Sequence, residues 1–207
     1  MNVSPREMAS PVTGYLDRST IRTVARLLAS GGVAVLPTDT IYGFHCAASN
    51  LEAIAKIRRI KGRGAKGGFI LLAVDCTMAA TVVARWPGAA RTRLAGIWPA
   101  PLTAILPARR KLPSILAPGG AVALRVPAHK ELRALIESLG EPIVSTSVNV
   151  SGREPMTRIT GIRKAFPGLD AYLSHRGRPA GLASTIVDFT SARPLLVRVG
   201  IYPWAAA

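Results

Sequence analysis

Lys61-Gly62-Arg63-Gly64-Ala65-Lys66-Gly67-Gly68, followed by the apolar run Phe69–Val74, puts three cations and four glycines into eight residues. The segment lies between a helical pattern and a strand pattern. Glycine lets a backbone approach a ligand closely and take positive φ. Lysine and arginine beside it suit phosphate oxygens, as a point charge and a planar fork. By itself the segment has two readings, a loop that grips a polyphosphate or a solvated basic turn. Gly62, Gly64 and Gly67 match the spacing of the dinucleotide fingerprint, but that fingerprint needs a strand before it and a helix after it. Here the order is reversed, which excludes a Rossmann site. The chain also lacks G-x-x-x-x-G-K-[ST], which excludes a P-loop.

Upstream, Asn50 is predicted to cap a helix with Leu51, Ile54, Ile57 and Ile60 on one face, and that helix delivers Lys61. Before it, Gly32–Leu36 reads as a buried strand running into Pro37-Thr38-Asp39-Thr40-Ile41-Tyr42-Gly43. Hydroxyls and a carboxylate at a strand end suit a ligand site in an α/β sheet, or a turn closed by local Thr and Asp hydrogen bonds. Ser19 is predicted to cap an earlier helix carrying Ile21, Val24, Leu27 and Leu28 and stopping at Gly31. Residues 1–14 read as an extended or frayed lead-in.

Downstream, helices are predicted over about 77–85, 88–97, 131–139 and 158–166, with strands over 103–106, 121–126, 184–190 and 195–199. Arg125 interrupts an apolar strand that stops at Pro127. Buried, it requires an anionic partner; otherwise it faces outward from an edge strand. After Pro142-Ile-Val, the residues Ser145, Ser147, Asn149 and Ser151 alternate, so a continuing strand would line them on one face. They form either a row of neutral donors for a phosphate or carboxylate, or an exposed sheet face.

The 207 residues suit a single domain, and 49% apolar content excludes wholesale disorder. The net charge of +16 comes from 27 basic and 11 acidic residues, 21 of the basic ones being Arg. Such a field draws nucleotides, RNA or an anionic membrane face, and does not choose between a nucleotide enzyme and an RNA binder. Aromatics at 5% argue against base-stacking recognition of single strands, while a duplex read by shape stays open. Cys46 and Cys76 lack close spacing and read as reduced thiols of a cytosolic protein. His45, His129 and His175 make no metal-ligand pattern. No signal-peptide core is seen, and no apolar run approaches the ~18–20 residues of a membrane span.

Four separated segments, Pro37–Gly43, Lys61–Arg63, Arg125-Val-Pro127 and Ser145–Gly152, together with Ser184-Thr-Ile-Val-Asp188, resemble the YrdC family of threonylcarbamoyl-AMP synthases. The likeness runs from about Gly31 to Gly200, and K-x-R with a distant S-x-N falls on Lys61/Arg63 and Ser147/Asn149. It implies an α/β fold, a twisted mixed sheet flanked by helices around a large basic concave surface, in one domain with its core at about 19–200. The implied reaction joins L-threonine, bicarbonate or CO2, and ATP into threonylcarbamoyl-AMP and pyrophosphate, in the cytoplasm. A separate transferase complex then uses the product for tRNA modification. By the same resemblance, Lys61 and Arg63 are the catalytic cations, and Lys61, Arg63, Lys66, Ala121, Ser147, Asn149 and Arg198 bind ATP. Thr40, Arg125, Ser145 and Ser184 form the L-threonine pocket, Arg125 pairing with the carboxylate. Mg²⁺ accompanies ATP without a dedicated carboxylate cage, with Asp39 the one protein ligand, or outer-sphere group, to nominate. The alternative is a non-catalytic tRNA or double-stranded RNA binder of the same fold. Phe44-His45 stands where the family commonly has Leu-Gly. Replacing Lys61 or Arg63 is expected to reduce turnover far more than stability, because a ligand loop contributes little to a core.

Overall fold

Short β-branched and leucine-rich runs separated by amphipathic helices build one sheet in the computed structural model, which describes residues 10–62, 68–177, 180–191 and 193–205. The strands are β1 (Val12–Tyr15), β2 (Ala34–Leu36), β3 (Gly43–Ala47), β4 (Ile70–Leu72), β5 (Leu102–Pro107), β6 (Ala121–Arg125), β7 (Ile143–Ser147), β8 (Ala171–Ser174), β9 (Thr185–Asp188) and β10 (Leu195–Arg198). The helices are α1 (Ile21–Ala29), α2 (Leu51–Ile60), α3 (Cys76–Ala79), α4 (Ala90–Ile97), α5 (Lys130–Leu139) and α6 (Ile159–Ala165). The sheet order is β1-β8-β2-β3-β7-β4-β6-β5-β9-β10. The sheet is mixed: β1–β8, β2–β8, β4–β6 and β5–β9 are parallel pairs, and the remaining neighbours are antiparallel.

Register assigns the faces, because successive side chains alternate across a sheet. Val35, Phe44, Leu71, Leu124 and Val144 join one core with Ile54 and Ile57 of α2, Leu94 of α4 and Ile162 of α6. On the other face, Ala34, Leu36, Leu72 and Ile143 pack against Val24 and Leu28 of α1 and Leu132, Leu135 and Ile136 of α5. That second face also carries His45, Ser145, Ser147 and Arg125, since His45 pairs with Ser145, Ile70 with Ser145 and Leu72 with Arg125.

Several sequence expectations shift. Asn50 does cap α2, its side chain accepting the Ala53 N–H at 2.9 Å. The cap of α1 is Thr20 rather than Ser19, whose hydroxyl instead donates to Asp17. The helix expected over 77–85 closes after one turn as α3, capped by Asp75. Its intended continuation is drawn into pairing beside β5, where Val83 bridges Ala108 and Arg109 N–H donates to the Val82 carbonyl. The lead-in holds a strand, β1, paired with β8. Both β3 and β8 escape sequence pattern, because β3 is buried on both faces and shows no alternation. The polar strip leaves the strand after Ser147. Arg125 sits on β6, an interior strand between β4 and β5, so the edge-strand reading fails.

Candidate active site

Lys61 ends α2 as its C-cap residue and is only 6% exposed. Its ammonium donates to the Ser147 carbonyl at 2.7 Å and to Asn149 Oδ1 at 2.6 Å, with longer contacts to the Asn149 carbonyl and Ser147 Oγ at 3.3 and 3.4 Å. Ser147 Oγ in turn donates to Asn149 Oδ1 at 2.7 Å, and the Ser151 N–H reaches the Lys61 carbonyl at 3.1 Å. The chain can meet Lys61 this way because it bends after β7. Val148 is buried, its N–H donating to the Tyr42 carbonyl and its carbonyl accepting from Met156. Burial lowers the Lys61 pKa to about 8.

Arg125 is 3% exposed. Its Nη1 donates to Thr40 Oγ1 at 3.1 Å, and its Nη2 lies 3.5 Å from Asp39 Oδ1. Asp39 Oδ2 accepts the Ala128 N–H at 3.0 Å. The Thr38 and Thr40 hydroxyls share a hydrogen bond of 2.8 Å, and Thr38 Oγ1 donates to the Ile41 carbonyl. The Pro37–Gly43 segment is thus a locally bonded turn, and its Thr38, Thr40, Ile41 and Tyr42 also line a cavity at the strand end. Burial lowers the Arg125 pKa and the Asp39 charge opposes it. Nearby, Ser184 shares a hydrogen bond of 2.9 Å with Thr103, and Arg198 donates to the Ser184 carbonyl from Nε and Nη2.

These groups face a single cavity of about 490 Å³. Of the residues nominated from sequence, Thr40, Lys61, Arg125, Ser145, Ser147, Asn149, Ser184 and Arg198 line it. Arg63 and Lys66 lie outside the described residues. Ala121 does not reach the wall; it starts β6 opposite Pro107. Tyr42, Ile70 and Pro155 line the cavity without having been nominated. Tyr42 was within reach of sequence reasoning, since it belongs to the Pro37–Gly43 motif; Ile70 and Pro155 carry no signal of their own. Asp39 acts within the protein as a counter-ion, one carboxylate oxygen facing Arg125 and the other holding Ala128. Among the described residues no cluster of three His, Cys, Asp or Glu could hold a metal ion. None of the helices described there is long and apolar enough to cross a membrane.

The arrangement combines a clamped ammonium, the buried Arg125 guanidinium, the more exposed Arg198 and a row of hydroxyls, a set suited to a ligand with two separate anionic groups. The chain as a whole is similar to known proteins. The threonylcarbamoyl-AMP synthase of Nitrosococcus oceani is 36% identical over 147 residues, covering 70% of this chain and 80% of that one. The structure of Pyrococcus abyssi Sua5 complexed with L-threonine superposes with a TM-score of 0.83 at 29% identity, covering 92% of this chain and 56% of the other. This chain therefore spans little more than half the length of that protein. Escherichia coli YciO superposes with a TM-score of 0.80 at 26% identity, covering 94% and 97% of the two chains. The family model for Sua5, YciO and YrdC proteins, described as telomere recombination, matches residues 26–200. With that match over most of its length, this chain belongs to the Sua5/YciO/YrdC family.

Proposed function

We propose that the protein is an L-threonylcarbamoyladenylate synthase. One observation carries the reading: a Lys61–Ser147–Asn149 cluster and a buried Arg125 beside Thr40 open onto the same cavity. The reaction must bring a polyphosphate and an amino-acid carboxylate together. L-Threonine and bicarbonate give a carbamate with loss of water. A carbamate oxygen then attacks the α-phosphorus of ATP, forming the mixed anhydride as the bond to pyrophosphate breaks. In such phosphoryl transfers positioning and charge stabilisation outweigh acid–base work.

Arg125 takes the threonine carboxylate, which replaces Asp39 as its closest anion, while Thr40, Ser145 and Ser184 offer hydroxyls to the rest of the amino acid. Lys61 has three protons and four acceptor contacts, so it serves the phosphates by its charge and by holding Ser147 and Asn149 in place. Arg198 adds a cation at the cavity wall, and Arg63 and Lys66 are assigned to ATP by their place in the motif. Mg²⁺ enters with the ATP phosphates, as it commonly does where few carboxylates are available. We assign the work to the cytoplasm, with a transferase consuming the adenylate to modify tRNA; the +16 charge is suited to a transient RNA contact.

The test is pyrophosphate release from ATP with Mg²⁺. The expected result is release that needs both L-threonine and bicarbonate. No release, together with salt-sensitive duplex-RNA binding, would replace the synthase by the RNA-binding reading.

A further inference from the structure

His45 takes no part in the chemistry above. It lies in the middle of β3, fully buried, and neither ring nitrogen has a hydrogen-bond partner among the described residues. The register sets it opposite Ser145 of β7, so both side chains leave the sheet on the same face. The ring folds back over Gly43. Its Cε1 and Nε2 lie 2.7 and 3.0 Å from the point where a Cβ on Gly43 would stand, and Ser145 Oγ is 3.2 Å from that same point. Imidazole and hydroxyl thus flank the same space above the Gly43 Cα, with no hydrogen bond between them in this structure. The ring is neutral, because burial drives its pKa down to about 3; the Gly43 backbone beneath it opposes this and the Arg125 charge adds to it. A neutral imidazole presents one N–H and one lone pair. Leaving both unused in a buried position is costly, and Ser145, which lines the cavity, is the polar side chain placed to use one.

We infer that His45 is a positioning residue for the amino-acid subsite: its Nε2 edge hydrogen-bonds the Ser145 hydroxyl when substrate is bound and aims that hydroxyl at the amino acid. This rests on reading the cavity as a threonine site. His45 acts through Ser145, without touching substrate, and its influence is confined to the amino-acid end of the cavity.

Calorimetric titration with L-threonine and, separately, with ATP tests it in the wild type, His45→Leu, His45→Gln, Ser145→Ala and the His45→Leu/Ser145→Ala double variant. The expected result is threonine affinity weakened about three- to tenfold in His45→Leu, the worth of one neutral hydrogen bond, with ATP affinity unchanged. His45→Gln, which keeps a donor and an acceptor near the Nε2 position, should recover most of the loss. In the Ser145→Ala background, His45→Leu should cost nothing more, since coupled residues are non-additive. Additive losses, an unchanged threonine affinity in His45→Leu, or a parallel loss of ATP binding each overturn the positioning role while leaving the synthase reading intact. A wild type that binds ATP but no threonine overturns both. If His45→Leu does not fold, His45→Gln with threonine affinity no better than Ser145→Ala overturns the role.

Discussion

At the scale of the residue, Lys61 is a buried cation that supports structure and ligand together. Lys61→Ala strands the Ser147 and Asn149 oxygens that the ammonium satisfies. The expected cost is about 1–3 kcal/mol of stability in addition to lost activity, read as a lowered Tm. That corrects the expectation that a loop cation contributes little to the core. The lowered pKa has a second consequence. The protonated form serves the phosphates, so ATP affinity should fall as pH rises past about 8, by up to roughly tenfold per unit. Flat affinity between pH 7 and 9.5 would remove the ammonium from nucleotide binding. His45 titrates in the opposite sense. In the unfolded chain it protonates near its ordinary 6.5, and in the fold only near 3. Between those values the unfolded state binds more protons, so stability falls with falling pH, by at most about tenfold in the unfolding constant per unit. Denaturant melts of His45→Gln between pH 4 and 7 should show a flatter slope. Part of the slope should persist, because burial also lowers the His129 pKa.

At the scale of the element, α2 links a cap to a site. Asn50 satisfies the Ala53 N–H at its start, and Lys61 closes its end. Asn50→Ala should cost about 1 kcal/mol, a drop of about 2–4 °C in Tm for a chain of this size. ATP affinity should suffer less than in Lys61→Ala, because buried contacts of Ile54 and Ile57 still seat the helix. An equal loss of ATP binding in both variants would show that cap and site are one cooperative unit. β7 works differently. Its Ser145 and Ser147 reach the cavity by strand alternation, whereas Asn149 reaches Lys61 by the turn that follows.

At the scale of the whole molecule, the ten-stranded sheet ends at β10, which among the described residues pairs only with β9. Leu195, Leu196 and Val197 are exposed there, Val197 at 53%. An exposed apolar edge is a template for pairing with other chains, even where, as here between Leu196 and Arg198, the register shifts. Val197→Lys should therefore slow aggregation during heating, measured by light scattering, with Tm changed by no more than a degree or so as expected of a surface site. Unchanged aggregation would mean that the net charge of +16 already keeps the edges apart.

The sequence by itself determined the local events. It placed the Asn50 cap, the helix that carries Lys61, most strand positions, and the motif residues that later met in one cavity, because caps, periodicity and turn residues act over a few neighbours. It could not decide between a buried and an exposed Arg125, or between a ligand strip and a sheet face at Ser145 and Ser147, since either answer depends on which strands lie alongside. Tertiary structure decided those points. Placing β6 between β4 and β5 buried Arg125 and required Asp39 as its counter-ion. Pairing β3 with β7 set Ser145 against His45. It also overrode the helical pattern after Ala79 by pairing Val83 with Ala108 beside β5. Burial and long-range backbone pairing are properties of the assembled sheet, and no window along the chain contains them.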